Sequence, residues 1–115
     1  MLQTSYFAKV KGMPKGSNVV SIARKTPEGF PGTSCEALMP SSKLLWAFKQ
    51  GEINEAQYRL EYRAQLDKLD AALIVAQYGK DAIFICYEGI GKFCHRHVLS
   101  EWFRDNGFEI KEYGT

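Results

Sequence analysis

The run AIFICYE at 82–88 constrains the fold more than any other stretch. Its apolar residues are continuous rather than alternating, the mark of a short strand buried on both faces. Such a strand belongs to a sheet that other layers cover. After the loop GIGK (89–92), FCHRHVLSEWFRDNG (93–107) reads as a helix, with Asn106 and Gly107 as stop residues. FEIKEY (108–113) then alternates as a half-buried strand does. Strand, helix and strand make a C-terminal βαβ unit, with a right-handed crossover and parallel strands.

The rest of the chain extends this pattern. TSYFAKV (4–10) and VVSIA (19–23) read as strands, separated by the Gly/Pro-rich loop 11–18. The segment 25–40 is too rich in Gly and Pro for a regular element, and a loop of that length points to function or mobility. PSSKLLWAFKQG (40–51) reads as a helix capped by serine and ended by Gly51. The stretch 54–73 reads as one longer helix, opened by Asn54 with Gln57 three residues on. Tyr58, Tyr62, Leu66, Leu69 and Leu73 draw its apolar stripe, and Gly79 closes the helix or a short extension of it. Trp46, Phe48 and Trp102 are expected in the core. The fold expected is α/β: one domain over 1–115, a small mostly parallel sheet flanked by helices.

Bulk properties narrow the function classes. A net charge of +2 does not mark a strongly basic nucleic-acid binder. No apolar run is long enough to span a bilayer, and the N-terminal residues lack a signal peptide's apolar core. A cytoplasmic protein without membrane association is expected. Three cysteines, an odd number, fit reduced thiols better than a secreted disulfide framework.

The chemistry concentrates in 86–104. His95 shares a helix face with Val98 and Leu99 and should point inward, whereas His97 lies on the polar face with Glu101 and Arg104. The two histidines are therefore poor joint metal ligands. Cys94, His95 and Arg96 occupy the first turn of the helix, where unpaired N–H groups lower a thiol pKa and attract anions. Arg96 can offer phosphate or carboxylate a bidentate contact. In a parallel sheet ligands gather outside the carboxyl ends of strands. Cys86 and Glu88 end one strand there and Arg24 ends another.

Each of these residues also has a plain structural reading. Cys86 suits a core strand, Glu88 can pair with an arginine, Cys94 can be an inert helix-start residue, and His95 can be a hydrogen-bonded core residue. Specific motifs are missing. Cys86 and Cys94 do not have C-x-x-C spacing, a zinc site would need Cys35, Cys86, Cys94 and His95 from three places, and GIGK is too short for a P-loop. No metal or cofactor is assigned.

ICYEGIGKFCHRHVLSEWF resembles the signature of the domain of unknown function 488 family: a buried strand ending Cys-aromatic-Glu, a short loop, then Cys-His-Arg opening a helix. LMPSSKLLWAFKQGEINEAQYRLEYRAQLDKL resembles the family's LAPS segment and the two helices after it. VVSIARKTPEGF resembles its early strand, which ends in arginine before a Pro-rich loop. The resemblance spans about Val19 to Phe103. It implies an α/β fold, a bacterial or phage origin, and a pocket using Arg24, Cys86, Glu88, Cys94, His95 and Arg96. It implies no particular reaction. Gln65 stands where the family pattern has glutamate, which puts a carboxylate role at that position in doubt.

Two functional readings follow. In the first, Arg24 and Arg96, with Cys86 in the lining, hold a small anionic, nucleotide-like ligand, while Glu88, Cys94 and His95 supply acid–base or nucleophilic groups. In the second, Lys9, Lys11, Lys15, Arg24 and Lys25 form a basic surface of a nucleic-acid or protein interaction module.

Overall fold

The computed structural model describes residues 1–88 and 93–115. The loop expected at 89–92 lies outside the described residues. Five strands form one parallel sheet: β1 (Leu2–Tyr6), β2 (Val19–Ser21), β3 (Thr33–Ser34), β4 (Ile83–Cys86) and β5 (Ile110–Glu112). Their order is β3-β2-β4-β1-β5. The apolar run at 83–86 is thus a central strand, hydrogen-bonded to β2 on one side and β1 on the other. β4 and β5 are parallel, as a βαβ unit requires, and β1 lies between them.

The helices are α1 (Phe7–Val10), α2 (Ser42–Lys49), α3 (Glu55–Leu66), α4 (Ala71–Tyr78) and α5 (His95–Asp105). Leu2, Val20, Phe84 and Cys86 join the main core with Tyr58, Tyr62 and Leu66 of α3, Ile74 of α4 and Val98, Leu99, Trp102 and Phe103 of α5. Val19, Ile83 and Ile85 face the other way, against Phe7, Val10, Met13, Phe30 and Tyr113. This alternation on β4, with both faces covered, explains its unbroken apolar sequence.

Four expectations are corrected. The strand expected over 4–10 ends at Tyr6, and Phe7–Val10 form a helical turn instead. The helix expected over 54–73 divides in two. Asp70 accepts from the N–H groups of Ala72 and Leu73 and caps α4, so a new helix begins where the periodicity reads as continuous. Leu73 is consequently exposed, while Tyr58, Tyr62 and Leu66 are buried. Trp46, expected in the core, is also exposed, because α2 buries only Leu44 fully. The irregular segment 25–40 holds β3 and a 3-10 turn at Glu36–Leu38. Gly32 precedes β3, where a Cβ would stand 2.0 Å from the Val19 carbonyl oxygen, so only glycine fits.

Gln65 acts through its amide. Its Oε1 accepts from the Ser41 N–H at 3.0 Å, and its Nε2 donates to the Met39 carbonyl at 2.6 Å. Ser41 itself caps α2 by accepting from the Leu44 N–H. The amide thus clamps the segment before α2 to α3, using a donor that glutamate lacks. Gln65→Glu should lower stability by about 1–2 kcal/mol, since the Met39 carbonyl loses its donor and meets a carboxylate. Urea unfolding at neutral pH checks this.

Candidate functional site

All strands run parallel, so β1, β2 and β4 end at the same edge of the sheet. At that edge Arg24, Glu88, Cys94 and His95 line one cavity of about 290 Å³. Lys25 and Lys49 add two cations, and Phe48, Tyr58, Tyr87 and Phe93 add aromatic surface. Phe48, Tyr58 and Phe93 touch one another in edge-on geometry, with centroids 4.9–5.7 Å apart. Burial pushes the Tyr58 hydroxyl well above its ordinary range, so it remains a protonated donor. A wider groove of about 640 Å³ lies at the opposite edge, between Met1, Val75, Lys80 and Phe108. It gathers no comparable set of ionisable groups, so the chemistry points to the smaller cavity.

His95 opens α5 with its ring buried, as the shared face with Val98 and Leu99 requires. Its Nε2 lies 2.7 Å from the Ile22 carbonyl oxygen. A carbonyl only accepts, so Nε2 carries the proton and Nδ1 keeps its lone pair. Nδ1 faces Cys94 Sγ at 3.8 Å. Burial, outweighing the Ile22 hydrogen bond and aided by the nearby charge of Arg96, lowers the imidazole pKa to about 4. The ring is therefore neutral at physiological pH.

Arg96 departs from the role that sequence reading gave it. Its side chain is fully buried and lies behind the cavity. It does make a bidentate contact with a carboxylate, but that carboxylate is Glu112 of its own chain: Nε donates to Oε1 at 3.0 Å and Nη2 to Oε2 at 2.9 Å. Nη1 donates to the Glu88 backbone carbonyl and to Cys86 Sγ at 3.1 Å. The guanidinium also stands over the Tyr6 ring at 5.4 Å. It is committed on every side, and Cys86 is buried beside it.

Arg24 remains at the cavity. Its Nε donates to the Pro40 carbonyl at 2.9 Å, and Nη1 lies 3.7 Å from the exposed Glu36 carboxylate. The expectation of three reduced thiols holds for Cys35 alone, which is buried in the core. Cys86 and Cys94 are joined as a disulfide. Their eight-residue spacing gave no hint of this; the turn from β4 into α5 brings the strand end against the helix N-cap.

Sequence reading missed Lys49, Tyr58, Phe93 and Glu112 as parts of this region. Lys49 and Tyr58 belong to elements whose relative placement no local pattern encodes. Glu112 could have been suspected because it shares the inward parity of Phe108 and Ile110 in the last strand, where a carboxylate calls for a cationic partner such as the arginine in the first turn of α5.

A parallel sheet with a cysteine–glutamate strand end and a Cys-His-Arg helix start defines a class of small α/β domains. The chain belongs to the DUF488 family: the family model described as "Active DUF488-N3 subclade" matches residues 8–107. No curated protein and no solved structure matches the chain. Among the described residues, no helix is long and apolar enough to cross a membrane.

Proposed function

We propose that the cavity binds a small anionic, nucleotide-like ligand, and that Glu88, Cys94 and His95 supply the groups that act on it. One observation carries this reading: three cations, a contiguous aromatic wall and the Cys94 sulfur beside the His95 imidazole, a thiol once the disulfide is reduced, line the same cavity. Arg24, Lys25 and Lys49 match a phosphate, while Phe48, Tyr58 and Phe93 offer ring faces and edges to a planar base. The volume, about 290 Å³, lies just below the ~300–1,000 Å³ usual for ligand sites, which suits one nucleotide rather than a larger cofactor. Glu88 is the carboxylate within reach of such a ligand, and His95 Nδ1 is the neutral base at the cavity floor.

Calorimetric titration with nucleoside 5′-phosphates and the matching nucleosides tests this. Phosphorylated ligands should bind, and nucleosides should bind more weakly. Lys49→Ala should weaken binding about tenfold, or about 1.4 kcal/mol, with little effect on stability because Lys49 is exposed. Absence of nucleotide binding, or equal binding by Lys49→Ala and Arg24→Ala, would remove the proposal.

The second reading has its own support. α1 directly follows β1, so Lys9, Lys11 and Lys15 leave the sheet at the same edge as Arg24 and Lys25. A single strand of nucleic acid could follow that edge into the cavity. Binding of an oligonucleotide with a steep salt dependence would favour this over a free nucleotide.

A further inference from the structure

We infer that Cys86, Cys94 and His95, with both cysteines reduced, form a binding site for one zinc-like divalent metal ion. The three residues are buried, and their ligand atoms all lie within 4.8 Å of one another. They come from the end of β4 and the start of α5, so the backbone holds them together.

The histidine is already oriented as a ligand. Its Nε2–H is spent on the Ile22 carbonyl, which leaves the Nδ1 lone pair on the side of Cys94 Sγ. A metal-bound histidine characteristically donates its other N–H in this way. With Zn–S of ~2.3 Å and Zn–N of ~2.0 Å at tetrahedral angles, ligand sulfur and nitrogen stand ~3.6 Å apart. The separation found is 3.8 Å.

The cysteine backbones point the same way. Their Cα atoms are 7.1 Å apart. A disulfide ordinarily spans roughly 4.4–6.8 Å between Cα atoms. Two thiolates on one tetrahedral ion hold their sulfurs ~3.7 Å apart, well beyond the ~2.05 Å of a disulfide, and so suit a wider Cα spacing. The disulfide is then the oxidised, metal-free form of the same pair: a dithiol reductant supplies two electrons and two protons by thiol–disulfide exchange and leaves as its own disulfide, and the two cysteine thiols release their protons as they bind the ion.

The surroundings favour charged sulfur. Arg96 Nη1 is 3.1 Å from Cys86 Sγ, a charge-assisted donor to a thiolate. Glu112 fixes that guanidinium from the other side. Two thiolates and an imidazole suit zinc rather than magnesium or calcium, which take oxygen ligands. Three protein ligands leave a fourth position, as in catalytic rather than structural sites. Cys94 and His95 line the cavity, so that position would face the anionic ligand of the proposed function, on which this orientation rests. With both residues on the ion, Glu88 is left as the proton-transfer group.

Cobalt titration of the reduced, chelator-treated chain, with no nucleotide present, tests the site. One equivalent should give thiolate-to-cobalt charge-transfer absorption and tetrahedral bands, and zinc should abolish both. Cys86→Ser, Cys94→Ser and His95→Gln should each lose that spectrum, and Cys35→Ser should keep it. Buried variants can fail to fold, so the wild-type chain provides a second readout. Zinc should protect Cys86 and Cys94 from alkylation, mapped by peptide mass, and a chelator should remove that protection. Failure of the reduced wild-type chain to bind zinc or cobalt stoichiometrically would overturn the inference. So would a spectrum that persists in the Cys86→Ser/Cys94→Ser double variant. Nucleotide binding measured in chelator reports on the cavity separately.

Discussion

Arg96→Met should destabilise the chain by about 3 kcal/mol, at the lower end of the ~3–5 kcal/mol typical for breaking one side of a buried ion pair. The guanidinium is completely buried and serves Glu112, the Glu88 carbonyl and Cys86 Sγ together. Removing it leaves the Glu112 carboxylate with Thr4 Oγ1, which donates at 2.7 Å. Glu112 keeps a 24% exposed side chain, so water recovers part of its solvation and the cost stays at the lower end. Arg96→Lys should still lose stability, because an ammonium cannot reproduce the two-pronged contact. Arg96→Met combined with Glu112→Leu should be more stable than Arg96→Met alone, since no unpaired carboxylate remains. Urea unfolding of wild type, Arg96→Met, Glu112→Leu and the double variant gives the coupling directly. A cost below about 1 kcal/mol for Arg96→Met would show that the pair contributes little. The consequence for function is definite: ligand loss in an Arg96 variant reports on the fold of the cavity floor rather than on a direct contact.

The Arg96–Glu112 pair also separates what the sequence disclosed from what it withheld. The strand at 83–86 and the buried face of α5 were legible because burial writes itself into periodicity. The meeting of Arg24, Glu88, Cys94 and His95 followed from one inference, that the strands leading to Arg24 and Glu88 run parallel, with the start of α5 beside their ends. The partner of Arg96 was not legible. Glu112 lies sixteen residues away on a strand separated from β4 by β1, and only the strand order places them together. The cysteine pair escaped for a similar reason: spacing rules describe ligands on one local turn, whereas here a strand end meets a helix cap. The break between α3 and α4 was hidden because Leu69 and Leu73 continue the stripe of the preceding helix, while the Asp70 cap restarts the backbone.

The other large effect concerns the element that carries the site. Phe103→Ala should cost about 3–5 kcal/mol, the usual penalty for emptying a fully buried aromatic position. The ring is completely buried and stacks on Phe84 of the central strand, with centroids 5.4 Å apart and planes 19° from parallel. Trp102 and Phe108 pack beside it, at 5.0 and 5.9 Å. This cluster fixes the C-terminal half of α5 against β4. The same helix holds Cys94 and His95 at its other end, where the Ile22 carbonyl supplies a single tether to the imidazole. Loss of the aromatic anchor should therefore weaken ligand binding at the cavity as well as stability. Phe103→Leu, which keeps most of the buried volume, should cost about 1–1.5 kcal/mol and retain binding. If Phe103→Ala unfolds at wild-type urea concentration, the stacking is not what holds α5 in place. If it is destabilised yet binds normally when folded, the first turn of α5 is held by Arg96 and Ile22 independently of the core beneath it.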